Sequence, residues 1–252
     1  MDNVRADTLI LSDLHLGAEL SRAKDARALL RAAEFNRLIL LGDIFCDLNF
    51  RRLKKQHWEF LSCIRKLSNP KRNIEVVWVE GNHDIGLSEV MSHLVGVRVY
   101  REYTWRFRNQ QYLAIHGHQF DRFIVNNALL SRLGEAIHLH VQKVDLPGGT
   151  VARWLDRMNS RWLRLTPKVA AGALAVARSR GADVVFCGHT HQALHLEQHG
   201  IHYYNTGCWT HEHPTYALVD SEGVRIVEYK SSDVAEEAPE TEGEAFWNEV
   251  AS

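Results

Sequence analysis

The sequence predicts a layered α/β sandwich interrupted by a helical insertion, and three observations carry that expectation. Short apolar runs recur along the chain: Thr8-Leu9-Ile10-Leu11, Leu38-Ile39-Leu40-Leu41, Val76-Val77-Trp78-Val79, Leu113-Ala114-Ile115 and Val184-Val185-Phe186-Cys187. Leucine-rich and β-branched runs of this length, bounded by glycine, read as buried strands. Between residues 8 and 120 these runs alternate with stretches of helical periodicity, the order that builds a sheet covered by helices. Residues 121–181 then change character, being long, helical in pattern and free of strand-like runs.

In chain order, Met1-Asp2-Asn3-Val4-Arg5 leads almost at once into the first strand, which predicts no signal peptide to remove. Helical periodicity spans Arg22 to Phe35 and Leu53 to Leu67, with Asn69-Pro70 ending the second helix. Val97 to Tyr112 reads as two strands turning at Asn109. Strands resume at Val184, Ile201 to Tyr204, Tyr216 to Val219 and Arg225 to Tyr229. The expected organisation is one domain over residues 1–230, carrying the 121–181 insertion, followed by an acidic tail over 231–252. The tail's Glu, Ala and Pro content predicts disorder, although Phe246 and Trp247 could dock on the body.

With 252 residues, 45% of them hydrophobic, the chain can bury a full core. Cys46, Cys63, Cys187 and Cys208 are widely spaced with no Cys-x-x-Cys pair, which argues against a zinc finger or disulfide framework and for a reducing compartment. No apolar stretch approaches the roughly 20 residues needed to span a bilayer, so the chain is expected to be soluble and cytoplasmic. The near balance of 30 Lys and Arg against 31 Asp and Glu conceals an asymmetry. The tail holds seven acidic and no basic residues, whereas Asp121 to Gly181 holds ten basic and four acidic. A locally cationic segment draws anionic partners, a membrane surface included.

Seven potential metal ligands stand beside or just after the apolar runs: Asp13, His15, Asp43, Asn82, His116, His189 and His191. Side chains at the ends of several strands should converge on one edge of one sheet, where open α/β sheets place their active sites. A set of imidazole, carboxylate and amide oxygen suits Mn, Fe or Zn and is too rich in nitrogen for Ca or Mg. Two ions about 3.5–4 Å apart need a bridging carboxylate, for which Asp43 is the candidate. Two divalent transition-metal ions, Mn²⁺ first among them, against two carboxylates leave a net charge of about +2, which attracts a phosphate or pyrophosphate. Glycines at 42, 81, 117 and 188 let the backbone turn sharply beside the ions.

Together, Asp13-Leu14-His15, Gly42-Asp43, Gly81-Asn82-His83-Asp84, His116-Gly117-His118 and Gly188-His189-Thr190-His191 resemble the calcineurin-like metallophosphoesterase superfamily over about residues 8–220. The resemblance implies an αββα sandwich and a two-metal hydrolase. In it Asp13, His15 and His191 serve the first ion, Asn82, His116 and His189 the second, Asp43 both, and a bridging water is activated as hydroxide. It also implies that His83 is no ligand but acts at the leaving-group oxygen, by donating a proton or stabilising charge. The alternative is a structural histidine bonded to Asp84 or Asp47. His118 either fixes a ligand's orientation or is an ordinary loop residue. Cys46 stands where many members carry an acidic residue that orients the catalytic histidine, and Asp47 is one position away.

From Val151 the chain reads VARWLDRMNSRWLRLTP. Arg153, Arg157, Arg161 and Arg164 share one helical face, Trp154, Leu155, Met158, Trp162 and Leu165 the other. The stripe should end at Pro167, with a second helix running to Arg180. Three readings stand: a solvated surface helix, a helix on an anionic membrane surface, or a lid whose apolar side lines an acyl pocket while the arginines reach a diphosphate.

An insertion at this place resembles the UDP-2,3-diacylglucosamine pyrophosphatase family of lipid A synthesis. Ser12-Asp13-Leu14-His15-Leu16-Gly17, Gly42-Asp43-Ile44-Phe45 and Tyr204-Asn205-Thr206-Gly207-Cys208-Trp209 resemble it too. The best-defined branch of that family has arginine where this chain has His83 and aspartate where it has His118; the wider superfamily uses histidine. The expected activity is hydrolysis of a phosphoanhydride or phosphodiester, with a UDP-diacylglucosamine-like substrate favoured over soluble nucleotides or phosphoproteins. A non-catalytic scaffold would lack ligands, and here none is missing. A nuclease is disfavoured because the tryptophans fall on the apolar face rather than among the arginines, leaving no stacking platform, so no nucleic-acid partner is expected.

Overall fold

The computed structural model describes residues 4–47, 49–86, 88–120 and 152–231. The first half winds a sheet by repeated strand–helix units. These are β1 (Arg5–Leu11), α1 (Ala23–Ala32), β2 (Glu34–Leu41), α2 (Lys55–Leu67), β3 (Glu75–Val79), α3 (Ser88–Val95) and β4 (Arg98–Tyr100). The hairpin β5 (Tyr103–Phe107) and β6 (Gln110–Ala114) opens a second sheet. It continues through α4 (Ala152–Arg180), β7 (Val184–Cys187), β8 (Leu194–Gln198) and β9 (Ile201–Asn205). The chain then returns to the first sheet as β10 (Thr215–Asp220) and β11 (Gly223–Glu228).

Strand order is β11-β10-β1-β2-β3-β4 in one sheet and β5-β6-β7-β9-β8 in the other. The four strands β1 to β4 are parallel, as are β6, β7 and β9.

Both faces of each central strand are covered, which is why the strands read as unbroken apolar runs. Along β1, Ile10 packs between the sheets with Ile39, Val77, Tyr112, Val184 and Phe186. Leu9 and Leu11 face outward against Leu29 and Leu30 of α1 and Phe60 and Ile64 of α2. The second sheet is covered by α4, whose Val169, Ala170, Ala173 and Ala177 meet Leu113, Val185 and Tyr203. The result is a helix–sheet–sheet–helix sandwich, the mixed α/β class that the strand and helix pattern predicts.

Several boundaries differ from expectation. Helix α1 stops at Ala32 rather than Phe35, because Ala33 is extended and β2 already begins at Glu34. The stretch from Val97 to Tyr112 holds three strands instead of two. β4 pairs with β3 in the first sheet, and only β5 and β6 form the hairpin. β8 and α3 were not expected; β8 is a half-exposed edge strand, so its apolar signal is weak.

Pro167 does not end a helix. α4 runs through it as one 29-residue segment. Proline gives up one backbone hydrogen bond, and the buried alanine-rich face from Val169 to Ala177 anchors the helix on the sheet regardless. The side chains of Arg153, Arg157, Arg161 and Arg164, the 121–151 part of the insertion and the tail beyond 231 lie outside the described residues, and so do the lid, membrane and disorder expectations. Among the described residues, no helix is long and apolar enough to cross a membrane.

Candidate metal centre

The potential ligands do not gather on one edge of one sheet. Asp13, His15, Asp43 and Asn82 follow β1, β2 and β3 of the first sheet, whereas His116, His189 and His191 follow β6 and β7 of the second. The centre therefore lies along the seam where the carboxyl ends of both sheets meet. Backbone hydrogen bonds tie the ligand loops together within each sheet and, through Trp209, across the seam. Asp13 N–H donates to Gly42 O at 3.0 Å, His15 N–H to Asp43 O at 3.0 Å, Gly188 N–H to His116 O at 3.1 Å, and Trp209 N–H to Asp13 O at 3.0 Å.

The local backbone is strained where the ligands stand. Asp13, His15, Asp43, His189 and His191 have φ between 47° and 67°, the left-handed region that only a few per cent of non-glycine residues occupy, Asp and His among the more tolerant. Each such residue costs about 1–3 kcal/mol and persists only where the surroundings enforce it, which happens most often at functional sites.

Two clusters result. In the first, the donor atoms of Asp13, His15 and His191 lie within 4.8 Å of one another. His191 Nε2 sits 3.1 Å from Asp13 Oδ1 and 3.1 Å from His15 Nε2. In the second, Asp43, His116 and His189 converge in the same way. His116 Nδ1–H donates to the Leu41 carbonyl at 2.9 Å, which directs Nε2 inward. There Nε2 is buried and makes no hydrogen bond among the described residues, although Asp43 Oδ2 is 3.3 Å away. A buried ring nitrogen without a hydrogen bond, aimed at a carboxylate, fits a cation ligand. Donor separations near 3 Å also match those around an ion with bonds of about 2.0–2.1 Å. The donor set fits a divalent transition metal.

The electrostatics agree. Burial disfavours charge on His116, but the Asp43 carboxylate wins and pushes the imidazole up to about 9. Burial would likewise lower His191, yet Asp13 pushes it up to about 10. Reciprocally, burial would raise both carboxylates, and the histidine charges hold them below the usual range. His15, with no comparable gain, is lowered by burial to about 4 and stays neutral. Buried anions that recruit protonated histidines in this way are sites where a divalent ion can replace the protons.

His83 is neither bonded to Asp84 nor to Asp47. Its Nδ1–H donates to the backbone carbonyl of Cys46 at 2.6 Å, so the side chain at position 46 is not needed to orient it. Asp47 instead pairs with Arg52. His83 N–H donates to Asp43 Oδ1 at 2.8 Å, and its Nε2 stands 3.9 Å from Asp43 Oδ2, with the side chain 42% exposed.

Asp84 is buried and accepts from the Ile44 and Phe45 N–H groups at 3.1 Å each, binding the Asp43 loop to the His83 loop. Burial and the nearby Asp43 charge push it up to about 6. His118 packs against His116 and His189, with ring centroids 5.5 and 6.3 Å away. Asn82 lies in the same loop as His83, its side chain exposed.

Sequence reasoning missed the supports behind the Gly188–His191 turn. Asn205 is fully buried, and its Nδ2 donates to the Gly188 carbonyl at 2.6 Å and to Thr190 Oγ1 at 3.0 Å. Ser12 Oγ contacts Thr206 Oγ1 at 2.7 Å and donates to the Gly207 carbonyl at 3.0 Å. Cys208 and His211 stand beside His191. The Tyr204–Trp209 stretch was recognisable as a strand leading into a loop, but nothing local announces what its side chains touch.

Solved structures similar to this chain include an archaeal phosphodiesterase (16% identity, covering 88% of this chain and 99% of that one, TM-score 0.48). The YfcE phosphoesterase from E. coli is another (16% identity, 87% and 91% covered, TM-score 0.48), as is Vps29 from Chaetomium thermophilum (13% identity, 89% and 92% covered, TM-score 0.49). No curated protein matches the chain. The family model described as the calcineurin-like phosphoesterase superfamily domain matches residues 7–223, most of the chain. With the sandwich and the paired histidine–carboxylate clusters in place, the chain belongs to the calcineurin-like phosphoesterase superfamily of metal-dependent phosphoester hydrolases.

Proposed function

We propose that this chain hydrolyses a phosphodiester or phosphoanhydride with two divalent transition-metal ions, Mn²⁺ foremost and Fe or Zn as alternatives. One is held by Asp13, His15 and His191, the other by Asn82, His116 and His189, with Asp43 between them. The observation that carries the reading is the pairing of two histidine–carboxylate clusters, one buried and one partly buried, on a backbone strained at five of these residues.

When bound, such ions supply Lewis acidity toward phosphoryl oxygens and activate water at neutral pH. The protein's part is positional. The Leu41 carbonyl fixes the His116 tautomer, Asp84 joins two ligand loops, and Asn205 braces the His189–His191 turn. In this reading His83, anchored through Nδ1 and with its side chain 42% exposed, gives a proton to the departing oxygen. His118 steadies the imidazoles of His116 and His189.

For the substrate we favour a UDP-2,3-diacylglucosamine-like lipid-linked nucleotide, met at an anionic membrane surface. The support is the insertion's arginine stripe, Arg153, Arg157, Arg161 and Arg164, and the similarity of three motif stretches to that family. A second reading, broad activity on soluble diesters or monoesters, draws on the histidine at position 83, where that branch carries arginine.

Assaying the protein on UDP-diacylglucosamine beside bis-p-nitrophenyl phosphate, with and without Mn²⁺, separates the two. Turnover of the soluble diester alone defeats the lipid reading, and no turnover of either with Mn, Fe or Zn defeats the hydrolase. Neutralising the four arginines should raise KM for the lipid substrate and spare the small diester. Equal loss on both would make the helix structural.

A further inference from the structure

We propose that His191, Cys208 and His211 form a third cation site, which takes a soft divalent ion, zinc by preference, and shares His191 with the Asp13–His15 cluster. A ring nitrogen of each histidine and the Cys208 Sγ lie within 4.8 Å of one another. Two imidazoles and a thiolate are a donor set that zinc and cobalt accept, whereas manganese prefers oxygen. The donors of a tetrahedral zinc with bonds of about 2.0–2.3 Å stand roughly 3.3–3.7 Å apart. Closure therefore needs a movement of about an ångström, which the exposed His211 can supply.

The site is built rather than accidental. Cys208 is 2% exposed and accepts from Thr210 Oγ1 at 3.5 Å. Its loop is locked on both sides. Gly207 N–H donates to Asn205 Oδ1 at 3.0 Å, and Trp209 N–H donates to the Asp13 carbonyl at 3.0 Å. Gly207 has φ +78°, and a Cβ there would come within 2.0 Å of Thr215 Oγ1, so the turn that presents Cys208 tolerates glycine alone. His211 is the open side, through which an ion enters and where water completes the coordination.

The shared residue gives the site a consequence, which rests on the reading under Proposed function. His191 Nε2 is within 3.1 Å of both Asp13 and His15. An ion that draws this ring toward Cys208 withdraws it from the first cluster. Zinc in excess then inhibits, while manganese, indifferent to the thiolate, supports turnover.

Cobalt titration of the metal-free full-length protein tests the site directly. A thiolate-to-cobalt charge-transfer band should appear in the near ultraviolet. It should be absent in Cys208→Ser, and the cobalt affinity behind it should weaken by roughly an order of magnitude or more in His211→Ala. Both variants should still bind Mn²⁺ as the unmodified protein does, which shows them folded. No band at cobalt saturation, or an undiminished band in Cys208→Ser arising from another cysteine, overturns the site. In Mn²⁺-supported assays zinc should inhibit the unmodified protein more than Cys208→Ser, and equal inhibition overturns the sharing of His191. A thiolate band in a protein that binds no Mn²⁺ would leave this site standing and remove the two-metal reading instead.

Discussion

Replacing Gly188 by alanine probes the centre without touching a ligand. The residue does not occupy the left-handed region, so alanine is conformationally acceptable and the effect comes from packing alone. The new Cβ would lie 2.4 Å from Asp13 Oδ2 and 2.8 Å from Ser12 Cβ, about an ångström inside ordinary van der Waals contact. Asp13 cannot simply swing away. It is fully buried, and its carboxylate oxygens accept the His189 N–H at 3.0 and 3.3 Å.

Either the carboxylate or the 188–191 turn must move by that ångström. Overpacking of this kind costs about 1–3 kcal/mol, and a 1 Å misplacement in a catalytic constellation costs about 10²-fold in rate. Gly188→Ala should therefore lose up to one equivalent of bound Mn²⁺, drop about 100-fold in kcat/KM on bis-p-nitrophenyl phosphate, and melt a few degrees lower. Gly181→Ala is the control. Its φ is +64° with open space around the site, so it should cost about 1 kcal/mol of backbone strain and leave metal content unchanged. A Gly188→Ala protein with full metal content and kcat/KM within about twofold of the original would refute the role given to Asp13.

Four further outcomes are expected. Asp43→Ala should abolish turnover and weaken metal binding, read by metal analysis and the diester assay. His83→Ala should keep both ions while turnover falls by about 10²–10⁴-fold, the range for a proton-transfer group; loss of the ions would make it a ligand. Asn205→Ala takes one of two donors from the Gly188 carbonyl, which keeps the Thr190 N–H, and leaves the buried Gly207 N–H without its Oδ1 acceptor, so it should cost about 1–3 kcal/mol by thermal melt, with weakened metal retention. Chelation should lower the melting temperature, since each ion present at 100 times its Kd adds about 2.7 kcal/mol; an unchanged melt would mean that the clusters hold no ion in the folded state.

The ligand-bearing loops were legible because each follows a strand buried on both faces, and such strands write uninterrupted runs such as Leu38 to Leu41 or Val184 to Cys187. Their partition between two sheets was not legible. Whether β6 pairs with β5 and β7 or with the first sheet is decided by side chains far apart in sequence, such as Trp105, Tyr112 and Phe186 stacking between the layers. β4 was absorbed into a neighbouring hairpin because three residues beside β3 carry no period of their own. Pro167 misled for a related reason, since the apolar face beyond it outweighs one missing backbone bond. Asn205, Cys208 and His211 acquire meaning only when β9 delivers them beside the Gly188–His191 turn.

The placement of the centre along the seam has a mechanical consequence. Each cluster joins a carboxylate from one half of the sandwich to at least one imidazole from the other, Asp13 with His191 and Asp43 with His116 and His189. A captured cation is thus a rivet through both layers, joining segments more than 70 residues apart by bonds that no side-chain packing supplies. Slippage between the layers would shear the rivets before it disturbed either hydrophobic face, so lost catalysis should give earlier warning of loosening than any change in helix or strand content.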